Sequence, residues 1–347
     1  MGPGKKQKGR GKLPRRKVIF VLQTAQKSGS YAINSLWKNH RGNGIMKICR
    51  KCRKNSGKGA SFGLQRRCAQ GKLCGRKGKG GGKVKAGVST ACLYPKQMEQ
   101  ALEEYGQLGI NKVELFFNTP SELKENSLVR LKNILRSYNM EAASIHPFTS
   151  EMEPFFFFSD YTGRLKDGID LYRRYFEAAA FLGAKVLVFH GDYRQNTYPW
   201  EKGFSHVEAL WEAGQQYGVE VMQENVARCK SGSLNYLLAM QNALPQMRFV
   251  LDCKQALRAG HRAEEFMEKL GNKIAHFHIS DNKQGEDCLP IGWGNTNWEE
   301  FFDNLKRQEF NGFLVLELYF HNFQQVIHLK EGFEQMNKWI NITNRML

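Results

Sequence analysis

Eight short apolar runs, each followed by a stretch with helical spacing, fill residues 84–347. Runs of this kind are typical of buried β-strands, and several of the helical stretches between them end in glycine, as helices commonly do. Strands that alternate with helices indicate a parallel sheet covered by helices. The count matches a closed (β/α)8 TIM barrel of about 250 residues. The predicted strands are 85–92, 112–118, 141–148, 184–192, 219–226, 248–254, 274–281 and 313–319.

An open, doubly wound sheet is the alternative arrangement for the same alternation of strands and helices. Such folds often bind dinucleotides through a GxGxxG turn after the first strand. No GxGxxG follows the run at 85–92. The sequence therefore favours the closed barrel.

Charge is distributed unevenly along the chain. Residues 1–83 contain 24 of the 52 Lys and Arg residues and none of the 33 Asp and Glu residues. Residues 84–347 therefore carry 28 basic and 33 acidic residues, a formal charge of −5, whereas the whole chain carries +19. A mildly acidic barrel is poorly suited to binding a phosphate backbone over a broad surface. We do not expect nucleic acid to be the partner of the barrel.

The basic segment 1–83 is open to three interpretations. Its Gly, Lys and Arg content is typical of a disordered arm that binds nucleic acid. Cys49 and Cys52 have the spacing of a zinc ribbon, although Cys68 and Cys74 are spaced more widely than usual. The third interpretation, which we favour, is a mis-assigned start. GKGKGGGKVK reverse-translates into a purine-rich tract like a bacterial ribosome-binding site, and Val84 follows where a GTG start codon could lie.

The chain contains no run near the roughly 20 apolar residues that span a bilayer. The apolar stretch at 18–22 is too short for the core of a signal peptide. We therefore expect a cytoplasmic protein without membrane contact. In that compartment its eight cysteines are expected to be free thiols.

Polar side chains end six consecutive predicted strands, at the point where TIM barrels carry their chemistry. Carboxylates that crowd together at one mouth would repel one another and take up protons unless a cation lay among them. Their convergence therefore predicts a metal site. The residues in question are His146, His190, Asp192, Glu224, Asp252, His278 and Glu317.

Three carboxylates and one imidazole from strands five to eight form the predicted ligand set. This mix of ligands suits Mn²⁺ or Mg²⁺ and also accommodates Co²⁺ or Zn²⁺, with positions left for substrate oxygens. We expect one divalent ion per chain. The predicted ligands are Glu224, Asp252, His278 and Glu317.

His276 and His278 lie two residues apart on one predicted strand and so point to the same face. His278 is nearer the carboxyl end and is the predicted ligand. His276 lies one layer deeper, where we expect a packed, hydrogen-bonded core residue. Asp281, just beyond the strand, is predicted to orient a ligand from outside the coordination sphere.

Five short stretches resemble, in order, those of the xylose-isomerase-like barrel superfamily: VMQENV, FVLDCKQA, FHISD, LPIGWG and LVLELY. The resemblance covers about residues 84–340. This superfamily includes sugar isomerases and epimerases as well as zinc-dependent endonucleases that cut abasic DNA. It implies that the four predicted ligands hold one metal and that Glu224 and Glu317 are the catalytic residues.

The chain departs from two branches of that superfamily. Where the trinuclear endonucleases carry further histidine ligands, it has Gln255 and, in the stretch 287–289, Asp-Cys-Leu. Where the ketose 3-epimerases carry a substrate-binding Glu and Arg, it has Lys230 and Gln284. The resemblance therefore favours one-metal sugar chemistry over DNA cleavage but leaves the substrate open.

Five residues are predicted to contact the substrate. Lys254 and Arg258, with His261 nearby, could bind a carboxylate or phosphate on an acidic sugar, or could form a basic helix start that faces solvent. Trp293 lies in a Gly-rich loop that resembles one in the superfamily. The predicted substrate-binding residues are His146, His190, Lys254, Arg258 and Trp293.

These observations predict a metal-dependent isomerase or epimerase that removes a proton next to the carbonyl of a small sugar. A homo-oligomer is compatible with the sequence. Three alternatives remain. One is a zinc-dependent abasic-site endonuclease, another is a metal-binding barrel without catalysis, and the third is a nucleic-acid binder that acts through the basic segment.

Overall fold

The computed structural model describes residues 83–323 and 325–346, apart from the side chain of Met346. The three interpretations of the basic N-terminal segment concern residues 1–83, of which residues 1–82 lie outside this range.

The described residues form ten β-strands. Eight of them coincide with the eight predicted runs, each shortened at one or both ends, and two form a small hairpin that the sequence did not predict. The strands are β1 (Lys85–Ser89), β2 (Lys112–Phe117), β3 (Glu141–Pro147), β4 (Val186–Phe189), β5 (Glu220–Glu224), β6 (Phe249–Asp252), β7 (Ile274–Ile279), β8 (Asp281–Lys283), β9 (Glu286–Leu289) and β10 (Phe313–Leu316).

Helices separate the barrel strands, and the longest of them ends the described chain. They are α1 (Met98–Gln107), α2 (Glu125–Ser137), α3 (Glu153–Phe157), α4 (Arg164–Leu182), α5 (Trp200–Gln215), α6 (Leu234–Ala243), α7 (Cys253–Arg258), α8 (Ala263–Leu270), α9 (Trp298–Arg307), α10 (Phe320–Phe323) and α11 (Val326–Met346).

The eight strands other than β8 and β9 close into a parallel barrel in the order β1-β10-β7-β6-β5-β4-β3-β2. Pairing of β1 with β10 closes the ring, with Lys85 opposite Phe313 and Val88 opposite Leu316. Helix α11 secures this seam, because the Asn344 side chain exchanges two 3.1 Å hydrogen bonds with the backbone of Val84. The predicted (β/α)8 barrel is confirmed.

The period of two along each strand sorts the side chains into layers inside the barrel. Val188, Met222 and Val250 form one buried apolar cluster within the ring. Two residues further along the same strands come His190, Glu224 and Asp252, so the polar layer lies directly above the apolar one. Side chains of the opposite parity face the helices, as Phe277 does against Phe301 and Phe310. The alternation along the strands therefore determines which side chains form the core and which form the polar layer at the mouth of the barrel.

The loop after β7 is organised by Asp281. Its carboxylate accepts hydrogen bonds from the backbone N–H groups of Asn282, Gly292, Gly294 and Thr296 at 2.8–3.1 Å. Gly294 is required at this close approach, because a Cβ there would lie 2.3 Å from the carbonyl oxygen of Asn282. Asp281 thus stabilises the loop, and the prediction that it orients a metal ligand is not supported by its contacts.

Two further sequence expectations concern cysteine and the membrane. The four cysteines of the described range, Cys92, Cys229, Cys253 and Cys288, are free thiols. Among the described helices, none combines the length and the apolar character needed to cross a bilayer.

Candidate metal centre and active site

The four predicted ligands meet at the carboxyl ends of four adjacent strands. His278 Nδ1 lies 3.1 Å from Glu224 Oε1, 3.6 Å from Glu317 Oε2 and 3.9 Å from Asp252 Oδ2. One ligand atom from each residue falls within 4.8 Å of all the others. The structure therefore brings the four residues close enough to share one ion.

Local structure leaves one oxygen of Asp252 free to face the site. Its Oδ1 accepts the Gln255 N–H at 2.9 Å and so caps the start of α7. Its backbone is held by Asn225, which donates to the Asp252 carbonyl at 3.0 Å. The other oxygen, Oδ2, is buried without a hydrogen bond and lies 3.3 Å from Lys254 Nζ. A buried carboxylate oxygen that lacks a hydrogen bond is uncommon and is often explained by an ion.

The surroundings of Glu224 and Glu317 favour their ionised forms. Burial disfavours the charged form of Glu224, but neighbouring His190 and His278 outweigh it and hold the pKa well below its usual value. Burial also disfavours charged Glu317, whose pKa is nevertheless lowered by Lys254 and then His278. Both carboxylates can therefore accept a proton at neutral pH.

The other two groups of the set hold protons more tightly than usual. Burial raises the pKa of Asp252 to about 7, although the charge of Lys254 opposes this rise. Burial works against the charged form of His278, but Glu114 and Glu317 outweigh it and raise the pKa well above its usual value. Protons on these two groups and the Lys254 ammonium offset part of the negative charge of the crowded carboxylates.

Lys254 lies inside the carboxylate cluster. Its Nζ is 3.1 Å from Glu317 Oε2 and 3.3 Å from Asp252 Oδ2, and its side chain is buried. The ammonium also lies 4.9 Å above the Tyr319 ring. The sequence left open whether the basic residues at 254–261 face the site or solvent, and Lys254 faces the site.

His146 and His190 form a second group beside the first. Their Nε2 atoms lie 2.8 Å apart, and His190 Nε2 lies 2.8 Å from Glu224 Oε2. Burial lowers the pKa of His190, whereas His146 has a raised pKa because Glu114 outweighs the effect of burial. With Glu224 they could hold an ion of their own, since their ligand atoms also fall within 4.8 Å.

A cavity of about 350 Å³ opens above these groups. One side is polar and includes the predicted substrate-binding residues His146, His190 and Lys254, with Arg228. The other side is mainly apolar. A site of this kind can bind a small polyhydroxylated molecule, one face against apolar surface and the other toward the charged groups. Its less polar side is formed by Ala91, Tyr94, Phe116, Leu318 and Tyr319.

Arg258 and Trp293, also predicted to bind substrate, do not line this cavity. The Arg258 guanidinium pairs with the Asp287 carboxylate through two hydrogen bonds and donates a third to the Tyr319 hydroxyl at 3.1 Å. The Trp293 ring packs against His328. Arg258 therefore reaches the cavity only through Tyr319.

Asp192 belongs to an ion pair away from the proposed ligands. Its Oδ2 lies 2.7 Å from Lys230 Nζ, and both side chains are buried. Lys230 also donates to the Tyr198 carbonyl at 2.7 Å. The position at which ketose 3-epimerases carry a substrate-binding Glu thus serves here to hold the loop after β4.

A buried carboxylate beneath His190 was not predicted from the sequence. Glu153 Oε2 accepts the N–H groups of His190 at 2.8 Å and Gly191 at 2.6 Å, and its Oε1 accepts the Tyr172 hydroxyl. Burial raises the pKa of Glu153 to about 8, although these donors oppose the rise. Glu153 therefore anchors the turn that presents His190.

Glu114 is the other site residue that the sequence analysis missed. It lies on β2 and is fully buried, with Oε2 only 3.0 Å from His278 Nε2. The signal was present in the run KVELFFN, where a single Glu interrupts an apolar strand. Because that Glu is not at the end of the run, a search of strand ends passes over it.

Comparison with known proteins assigns the barrel to a family. Residues 102–342 match the model of the xylose isomerase-like TIM barrel. The chain belongs to this family. An uncharacterized protein of Methanocaldococcus jannaschii is 24% identical over 275 residues, which span 74% of this chain and 91% of the relative.

Solved structures show the same fold. A D-tagatose 3-epimerase-like protein matches with a TM-score of 0.64 and 22% identity, over 76% of this chain and 99% of its own. IOLI protein with a bound zinc atom matches with a TM-score of 0.60 and 18% identity, over 75% of this chain and 97% of its own. Sugar epimerases are among the structural neighbours.

Proposed function

We propose that the protein is a metal-dependent sugar isomerase or epimerase that moves a proton next to a carbonyl group. The observation that carries this proposal is the meeting of three carboxylates and His278 at the mouth of the barrel, under a cavity with one apolar side. The naming of structural neighbours as sugar epimerases supports the reaction class.

The residues present fit one divalent ion. Glu224, Asp252, His278 and Glu317 offer oxygen and imidazole ligands, and Asp252 Oδ2 is buried without a hydrogen bond, 3.3 Å from the Lys254 ammonium. Mn²⁺ or Mg²⁺ suits this set best, and Co²⁺ or Zn²⁺ is compatible with it. When bound, the ion would polarise the substrate carbonyl and stabilise the enediolate.

Glu224 and Glu317 are the proposed catalytic residues. Around the ring the strands follow the order β10-β7-β6-β5, so Glu317 and Glu224 stand at the two ends of an arc, with His278 and Asp252 between them. With carboxylates on two sides of a bound carbon, one can remove a proton from one face while the other, in its protonated form, delivers a proton to the opposite face. Both have lowered pKa values and begin in the accepting form, so the group that delivers a proton must first take one up from solvent.

Three cavity residues are proposed to bind the substrate. His146 and His190 present ring nitrogens, and Lys254 presents its ammonium beside Glu317. Each can bind a sugar hydroxyl or carbonyl oxygen. Arg258 and Trp293 are not proposed as direct contacts, because neither lines the cavity.

The endonuclease reading is weaker. At the position of one additional histidine ligand of the endonucleases, this chain has Gln255, whose side-chain oxygen accepts the Ala227 N–H at 3.0 Å. In the stretch 287–289, Asp287 forms an ion pair with Arg258. The one observation in its favour is the group of His146, His190 and Glu224, which could hold a second ion.

The test is proton exchange in deuterated water. The full chain, loaded with Mn²⁺, Mg²⁺ or Co²⁺, is incubated with a panel of ketoses and followed by NMR. We expect deuterium at a carbon beside the carbonyl, together with a new isomer. Glu224→Gln and Glu317→Gln should each lower kcat by at least about 10²-fold. Glu286→Gln, which alters an exposed carboxylate, should not. Cleavage of abasic DNA without any exchange in sugars would overturn the proposal.

A further inference from the structure

Glu114 is a buried carboxylate surrounded by histidines below the proposed metal ligands. Its side chain is inaccessible to solvent. Oε2 lies 3.0 Å from His278 Nε2 and 3.6 Å from His276 Nε2, and Oε1 lies 3.5 Å from His146 Nδ1. A buried charge is tolerated only where partners offset the cost of removing it from water. These three imidazoles are such partners.

The two ring nitrogens of His278 face opposite ways. Nδ1 points toward the oxygens of Glu224, Asp252 and Glu317, whereas Nε2 points toward Glu114. A neutral imidazole carries its hydrogen on only one nitrogen, and the partner of that hydrogen decides which nitrogen keeps a lone pair. A carboxylate at Nε2 keeps the hydrogen there, so the lone pair falls on Nδ1.

Ser144 holds Glu114 in this orientation. Its hydroxyl donates to Glu114 Oε2 at 2.7 Å, and both residues are fully buried. Ser144 lies on β3, the strand next to β2, and pairs directly with Glu114 in the sheet. The carboxylate is therefore fixed by the barrel itself, which is what a ligand-orienting group requires.

We propose that Glu114 is a positioning residue that accepts the Nε2–H of His278 and so directs Nδ1 toward the divalent ion. Its Oε1 also lies 3.5 Å from Nδ1 of His146, whose Nε2 is 2.8 Å from His190 Nε2. The same buried acid therefore lies beside both a proposed metal ligand and a proposed substrate contact. This inference rests on the proposed function, because it needs His278 to be a metal ligand.

The test compares metal affinity in variants of the full chain. Zinc binding is measured by calorimetry for the wild type, Glu114→Gln and Ser144→Ala. We expect Glu114→Gln to weaken binding by about 10- to 100-fold, as the loss of outer-shell partners commonly does. Ser144→Ala should weaken it less, because the carboxylate remains.

A matched control separates positioning from folding. Glu122→Gln also alters a buried carboxylate near β2, but Glu122 accepts hydrogen bonds from the backbone N–H groups of Asn118 and Thr119 and contacts no histidine of the site. This substitution should leave zinc affinity unchanged. Thermal unfolding shows whether each variant is folded. If Glu114→Gln does not fold, the zinc affinity of Ser144→Ala tests the inference in its place.

A spectroscopic signature tests the contact directly. In the zinc-loaded wild type, the Nε2 proton of His278, identified by its loss in His278→Gln, should resonate far downfield because it is donated to a carboxylate. In Glu114→Gln it should move upfield. Unchanged zinc affinity and an unchanged resonance in Glu114→Gln would overturn this inference alone. A wild type that binds no zinc at His278 would overturn the proposed function as well.

Discussion

Replacing Glu153 by Gln tests how this barrel tolerates a buried acid. Gln has nearly the same shape, and its amide oxygen can still accept the N–H groups of His190 and Gly191. In the folded chain burial raises the pKa of Glu153 from 4.5 to about 8. Between these two values the unfolded chain has released the proton, but the folded chain still holds it. Folding of the wild type therefore takes up a proton, and its free energy of unfolding falls as pH rises through this window.

The size of the effect follows from the pKa values. Each tenfold change in the ionisation equilibrium is worth about 1.4 kcal/mol, so a rise from 4.5 to about 8 sets a ceiling of about 5 kcal/mol. The stabilising contribution is complete below pH 4.5 and is lost as pH approaches 8. The Gln side chain of Glu153→Gln does not titrate, so its contribution to stability does not depend on pH. Between pH 4.5 and 8 we therefore expect the free energy of unfolding of the variant to rise by at least about 2 kcal/mol relative to that of the wild type.

The assay is urea unfolding of both proteins followed by circular dichroism between pH 4.5 and 8.5. Other titrating groups are common to both proteins, so the difference in free energy of unfolding isolates Glu153. A difference that does not change with pH would refute the reasoning. A variant that becomes less stable relative to the wild type as pH rises would show that Glu153 is ionised in the fold.

Two further predictions concern residues that hold loops at the mouth of the barrel. Asp281→Asn should lower the free energy of unfolding by about 3 kcal/mol in urea titrations, because several hydrogen bonds to a charged acceptor are weakened, including that from Trp298. Lys230→Met should cost about 3 to 5 kcal/mol in the same assay, since it leaves Asp192 buried without its partner. Adding Asp192→Asn should restore part of that loss, and a double variant no more stable than Lys230→Met would contradict the pairing.

The barrel could be predicted because its pattern is repeated eight times. Every apolar run forms a strand of the ring, although each strand is shorter than the predicted run at one or both ends. After Ser89, for example, residues Thr90–Leu93 turn into a 3₁₀ helix capped by the Ser89 hydroxyl. The hairpin of β8 and β9 escaped prediction because Asp281–Lys283 and Glu286–Leu289 lack alternation. Its one signal is Gly285, which adopts a positive φ of 80° in the turn.

The site was predictable only where side-chain direction follows from the strand. Glu224, Asp252 and His278 end strands or nearly so, and the period of two decides that they face inward. Arg258 lies at the end of helix α7, and its direction depends on how that helix is rotated against the barrel. Glu114 could not be found by a search of strand ends, because β2 continues beyond it to Phe117. Its contact with His278 joins β2 to β7, which lie far apart in the sequence, and only the structure shows it.

The claim that four residues form a metal centre is tested most directly by the metal content of the purified full chain. Inductively coupled plasma mass spectrometry would compare the wild type with His278→Ala, and with His328→Ala as a histidine control outside the centre. We predict that His278→Ala holds about one divalent ion per chain fewer than the wild type and that His328→Ala holds the same amount. Equal metal content in the wild type and His278→Ala would contradict the assignment of this site.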